Sequence, residues 1–182
     1  MLAAFVSKEG YAMDHSLVDD LLSHPKVIET QSHIHHGVAK YDHLIRVTRY
    51  SYKLAVMMRA DVRVCTRAGL IHDIDSRYGN LVNHGAVAAR WAADYGEDAA
   101  VCEAIIGHMY PLGPAPTTRE GWILSVADKA ASVADLTDYV RGIVNGRSRQ
   151  RKQTLQETDP FYRPKVKPNR RQRIREILDI DV

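Results

Sequence analysis

The sequence has no apolar run approaching the roughly 18–20 residues that a membrane-spanning helix needs. Its N-terminal MLAAFV is short for a secretory signal and lacks a basic start. Together these absences point to a protein that stays in the cytoplasm. Cysteine is scarce: there are two, Cys65 and Cys102, each inside an apolar periodic segment and neither in a C-x-x-C pair. They read as reduced core residues, which argues against a disulfide framework and against a thiolate zinc site. No stretch shows the period-two alternation of a half-buried strand, and no segment repeats. What is present is an ordinary globular composition, 45% hydrophobic and 26% charged over 182 residues. That is enough for one domain with a sizeable core.

Charge is unevenly spread. Residues 145–182 carry eleven Arg and Lys against five Asp and Glu, a net +6; the remaining 14 basic and 17 acidic residues leave the first 144 at −3. The body is mildly acidic and the tail basic. Basic clusters can contact phosphate backbones. Only Phe161 and Tyr162 offer stacking there, so a single-strand platform is poorly supported. A solvated tail, or an arm packed on a neighbouring subunit, is the preferred reading; nucleic-acid contact through the tail is the alternative, and a homo-oligomer stays open.

The periodicity is helical throughout. A short helix is expected over 15–24, broken by Pro25. The polar segment 29–40 is a loop with His33, His35 and His36. From Tyr41, residues Leu44, Val47, Leu54, Ala55 and Met58 form one stripe. Asp61 can cap a helix running through Ile71, and Asn83 one running to Tyr95, where Gly96 ends it. Asp98 starts another through Ile106. After a proline-rich loop, Thr117 or Thr118 starts a helix containing Trp122, Ile123, Val126 and Ala127, and a further segment covers 131–144. The expected architecture is an all-α bundle of about six to eight helices. It divides into an N-terminal helical extension (1–35), a main domain (36–145) and a basic tail (146–182). That tail is partly extended, with room for a short terminal helix around Ile174, Ile177 and Leu178.

One stretch, AGLIHDID (68–75), ends an apolar run in a histidine and two carboxylates. Charged groups are rarely buried unless paired or metal-bound. His43, His72, Asp73, His84, His108 and Asp128 all fall on five successive helices or at their ends. A bundle can aim such groups into one pocket. Imidazole and carboxylate suit iron, manganese, cobalt, nickel or zinc. Four histidines and two aspartates exceed what one tetrahedral zinc with an open position requires. They would suit two metals sharing a carboxylate, about 3.5–4 Å apart, which can clamp a phosphoryl group. Against this stands the bland reading of each lone histidine as a surface or hydrogen-bonded residue.

The motifs YDHLIRV, AGLIHDID, NHGAVAARWA, AIIGHMYPLGP and ILSVADKAAS, in this order, resemble the HD-domain superfamily of metal-dependent phosphohydrolases, over about residues 36–135. The likeness runs to small stand-alone bacterial HD proteins and to the HD enzymes that cleave diadenosine tetraphosphate. It implies an HD-domain helical bundle whose His43, His72, Asp73 and Asp128 hold a first metal. Asp73 would bridge to a second, completed by His84 and His108, with iron or manganese foremost. A hydroxide between the metals would attack phosphorus in a small-molecule phosphate ester or anhydride, such as a nucleotide or dinucleotide. Many relatives continue His-Asp with a small residue, glycine and a phosphate-contacting lysine; here Ile74-Asp75-Ser76-Arg77 follows. Asp75 either orients a ligand histidine or is a solvated helix-end residue. Arg77, Arg46 and Lys129 are the candidate phosphate contacts. Their plainer alternatives are a loop residue, a partner of Asp42 and an exposed lysine. His36 could line the pocket mouth; His33 and His35 read as solvated, and His15 and His24 as surface. Two other functions compete: an HD-type di-iron oxygenase, and a non-catalytic nucleotide- or metal-binding module.

Overall fold

A computed structural model of the chain describes residues 13–35 and 38–144, with Thr154 and Glu157. The rest of the tail, with the short helix expected near its end, and His36 lie outside the described residues.

Two short helices, α1 (Asp19–Leu22) and α2 (Pro25–Glu29), lead to an antiparallel pair, β1 (Ile34–His35) and β2 (Val38–Ala39), with Ile34 opposite Ala39. Then come α3 (Lys40–Met58), α4 (Val62–Ile71), α5 (His84–Tyr95), α6 (Ala99–Ile106) and α7 (Arg119–Val144). Apart from that two-residue pair the fold is all-α, as the periodicity implies. No helix among the described residues is long and apolar enough to cross a membrane.

Helix α4 is the central post. Asp61 caps it by accepting from the Val64 amide at 3.0 Å. Every residue from Val64 to Ile71 is buried. Helices α3, α6 and α7 pack around it. The approach of α3 depends on Gly69, where a Cβ would stand 3.0 Å from Thr48 Cα. Leu44, Val47 and Ala55 of the expected stripe are fully buried. Met58 is a correction: it is half exposed, at the helix end where Arg59 turns left-handed with φ 52°.

A second correction concerns the C-terminal region. The two segments expected there are a single 26-residue helix, α7. Lys129, Ala130, Ala131 and Ser132 contain no glycine or proline to interrupt it.

The N-terminal residues are part of the core, since Val18, Leu21 and Val27 are fully buried within it. Arg67 of α4 ties them down. Its guanidinium donates to both Asp20 oxygens, to Glu97 and to the Leu17 carbonyl. His24, expected at the surface, accepts from the Lys26 amide and meets Trp91 and Tyr95 edge-on. An imidazole at a helix start with aromatic neighbours is used for packing.

Candidate metal centre

Of the six predicted metal ligands, five sit where a helix begins or ends and the sixth, Asp128, lies within a helix. His43 is in the first turn of α3, His72 and Asp73 close α4, and His84 opens α5. His108 follows α6, and Asp128 lies in α7. All six are buried. Two glycines bring the pieces together. A Cβ on Gly79 would lie 2.8 Å from His84 Cα, and one on Gly85 would lie 3.0 Å from the Ile105 and Ile106 carbonyls. Both therefore permit the close seating of α5 against the end of α6.

The structure gathers the six side chains. Donor atoms of His43, His72 and Asp128 fall within 4.8 Å of one another, as do those of His72, Asp73 and His108. His43 Nε2 is 3.2 Å and His72 Nε2 3.6 Å from Asp128 Oδ1. His84 Nε2 is 3.3 Å from Asp73 Oδ1 and 3.1 Å from His108 Nε2.

The outer ring nitrogens explain what this cluster is suited to. His72 Nδ1 donates to the Gly69 carbonyl at 3.0 Å, His84 Nδ1 to Asn80 at 2.9 Å and His108 Nδ1 to Ile105 at 2.7 Å. His43 Nδ1 donates to Asp135 Oδ2 at 2.6 Å. A carbonyl oxygen can only accept, so Nδ1 carries the proton in His72, His84 and His108. In the neutral rings Nε2 then presents a lone pair inward. Two such lone pairs facing each other at 3.1 Å, between His84 and His108, repel unless a cation lies within reach of both. This donor set fits divalent metal, with each imidazole steered from behind as metal-bound histidines are.

Asp135 is a residue that sequence reasoning missed. It is fully buried on α7, two helical turns after Asp128 and on the same face. That seven-residue spacing was the available signal. Arg46 holds Asp135 from the other side, with Nε 3.1 Å from Oδ1, and also donates to Asp138 at 2.7 Å. Arg46 thus lies behind His43. Asp135→Ala is expected to lower metal affinity about 10–100-fold while the fold persists. Metal titration calorimetry beside circular dichroism checks this; unchanged affinity would remove Asp135 from the site.

Lys40 is the second missed residue. It precedes His43 by three positions, on the same face of the first turn of α3. Its buried ammonium donates to Ser76 Oγ at 2.6 Å and lies 3.4 Å from Asp73 Oδ2.

The other sequence candidates are placed as follows. Lys129 donates to the His108 carbonyl at 3.0 Å and to Ser125 Oγ at 2.9 Å, and burial pulls its pKa down. Arg77 donates to Glu29 at 2.8 Å and contacts His33. His33, expected to be solvated, is therefore buried in a contact with Arg77. Asp75 is a correction to both earlier readings: it adopts φ 57° and accepts from Lys26 Nζ at 2.8 Å. It bridges the N-terminal helices to the α4–α5 loop; Asp135 is the carboxylate that orients a histidine.

Burial opposes charge on His43, but Asp128 and Asp135 outweigh it and lift the imidazole to about 9. Burial, reinforced by nearby His72, pulls His108 down to about 4. Burial disfavours the Asp128 carboxylate, yet its bonds to His43 and His72 keep it well below the usual range. The consequence for metal-free protein has two limbs. Between about pH 4 and 6.5 the unfolded chain takes a proton that folded His108 refuses, so stability rises with pH. The stability from charged His43 is present below about 6.5 and is lost as pH rises through about 9. Thermal stability in chelator is expected to peak near pH 6.5. Metal requires neutral imidazoles, so added manganese moves the maximum to higher pH. Melting curves from pH 4 to 10, with and without chelator, read both limbs; a metal-free maximum above pH 8 would contradict the assignment.

Residues 41–132 match the family model described as the HD domain. The chain belongs to the HD domain family, a superfamily of metal-dependent phosphohydrolases. Ribonuclease Y of Cutibacterium acnes is 31% identical over 96 residues, covering 51% of this chain and 17% of that protein. Ribonuclease Y of Enterococcus faecalis is 29% identical over 135 residues, covering 67% of this chain and 26% of that protein. The chain thus spans about a quarter or less of the length of these relatives. No solved structure matches at a significant level. The relatives are ribonucleases by name, whereas the motif likeness leaned toward hydrolases of diadenosine tetraphosphate; the HD domain stands behind both readings.

Proposed function

We propose that this chain is a cytoplasmic phosphohydrolase that uses two divalent transition metals, iron or manganese foremost, to cleave a phosphate ester or anhydride bond in a nucleotide-bearing substrate. The carrying observation is the convergence of four inward Nε2 atoms and two carboxylates, each imidazole braced from behind. His43, His72, Asp73 and Asp128 would hold one ion, and Asp73, His84 and His108 the other. Bound metals supply Lewis acidity and lower the pKa of water. Asp135, the Gly69, Asn80 and Ile105 carbonyls, and Lys129 through the His108 carbonyl keep the donors aimed. The free thiols Cys65 and Cys102 fit a reducing compartment.

Lys40, 3.4 Å from Asp73 Oδ2, supplies fixed positive charge for phosphate oxygens; Arg77, held by Glu29 and His33, is the second candidate. Lys40→Met is expected to lower kcat/KM about 100-fold while leaving metal content within twofold. Steady-state kinetics beside metal analysis test this; parallel loss of both would make Lys40 a support for Asp73 only.

A nucleic-acid phosphodiester is the second reading of the substrate. It is favoured by the likeness to Ribonuclease Y and by the +6 tail.

The deciding experiment is plasma mass spectrometry on protein purified without chelator or metal-affinity resin. It is paired with phosphate- and nucleotide-release assays on dinucleoside polyphosphates, nucleotides and short RNA. Near two metals per chain, falling to about one in His84→Ala, with turnover of one substrate class, supports the proposal. Protein that binds no iron or manganese on reconstitution, or that binds metal and turns over none of these substrates, overturns it.

A further inference from the structure

Helix α7 has two faces. The inner face carries Asp128 and Asp135 into the bundle. The outer face carries Trp122, Val126, Val133, Leu136, Val140 and Ile143, each at least 45% exposed. Their spacing, with Lys129 filling one place, is 4-3-4-3-4-3. That is the seam of two helices in left-handed packing, and it stays straight for about 30 Å. Soluble monomers rarely leave an apolar stripe of this length uncovered. Among the described residues, Tyr110 meets the Trp122 ring edge-on at one end, while the apolar residues from Val126 to Ile143 stay at least 50% exposed.

We infer that this stripe is the interface with a second copy of the same chain, α7 packing antiparallel on α7 about a two-fold axis at Val133. Three observations select this occupant. The first is length. The other apolar segments the chain could fold back, residues 1–6 and 174–180, are about 9 and about 10 Å long as helices, each a third of the stripe. A second α7 matches it end to end. The second is charge. Ala130, Ser132 and Thr137 flank the central stripe and carry none, so the surface offers a charged partner nothing to complement and offers its own copy nothing to repel. The third is Lys129, the one charge in the seam. In a parallel pair it would face its own copy. In an antiparallel pair centred on Val133 it faces Thr137, while Val126 faces Val140. Its ammonium is also drawn aside to the His108 carbonyl and Ser125. Such a pairing would brace the helix that supplies Asp128 and Asp135 from its outer side.

The test uses the full chain. Sedimentation equilibrium is expected to give twice the chain mass at micromolar concentration. Leu136→Glu with Val140→Glu should weaken dimerisation at least tenfold while circular dichroism and the melting transition persist. A cross-link keeps the result readable if that variant misfolds. In a Cys102→Ser background, Val133→Cys should oxidise to a disulfide-linked dimer and Ile143→Cys should not. A wild-type monomer throughout about 1–100 µM overturns the inference, including a monomer in which residues 1–6 or 174–180 protect the stripe. A dimer indifferent to the glutamates, or equal cross-linking of Ile143→Cys, overturns it as well.

Discussion

Asp73→Asn is expected to purify with almost no bound metal and to lose phosphohydrolase activity by well over the ~10–100-fold that substitutions behind a ligand cost. In the proposed two-metal assignment, Asp73 is shared between the two halves of the donor set. It groups with His72 and His108, and its Oδ1 lies 3.3 Å from His84 Nε2. Its other oxygen faces Lys40. Under that assignment, loss of any one histidine leaves one half of the donor set whole, but loss of this carboxylate weakens both. Asparagine keeps the volume, so the buried site does not collapse, yet it removes the charge that offsets two cations. Metal content by mass spectrometry and hydrolysis rates measured on the same preparation give the answer. Retention of two metals per chain would show that Asp73 is not shared between them.

The largest stability effect is expected far from the site. Arg67→Ala should cost about 3–5 kcal/mol, because it leaves a buried carboxylate unpaired. The Glu97 side chain is 1% exposed and takes three bonds from the guanidinium. Asp20 is half exposed and can be solvated when Arg67 is gone. The asymmetry makes a second prediction within the first. Arg67→Met with Glu97→Leu should recover most of the loss, since a buried ion pair is often no better than well-packed apolar residues. At roughly 2–4 °C per kcal/mol for a chain of this size, the single variant should melt about 6–20 °C lower. A change under about 3 °C, read by calorimetry, would mean that Glu97 finds water or another partner. The Arg67 bond also holds the Asp20 carboxyl down to about 2. Its share of stability is thus present above the ordinary carboxylate range and is lost only as pH falls through about 2.

The sequence by itself determined the helical class, the order of the six donors and the family they belong to. Those are readable because a 3.6-residue period and helix-end positions are local properties. His43, His72-Asp73, His84, His108 and Asp128 each declare themselves within a single short motif. Helix α7 was misread as two segments because its apolar residues lie on both faces, which blurs a one-sided period.

Only the tertiary structure decided which groups stand behind the donors. Asp135 was within reach of spacing arguments, but choosing it over Asp75 required knowing that α7 crosses the start of α3 while Asp75 turns left-handed toward Lys26. The inward aim of the Nε2 atoms followed from carbonyls at Gly69, Asn80 and Ile105, whose directions no residue type encodes. Burial of Lys40, His33 and Arg67 was likewise invisible, because polar residues signal exposure until a partner from a distant segment arrives. Local chemistry fixes what a residue can do; the crossing of helices fixes what it faces.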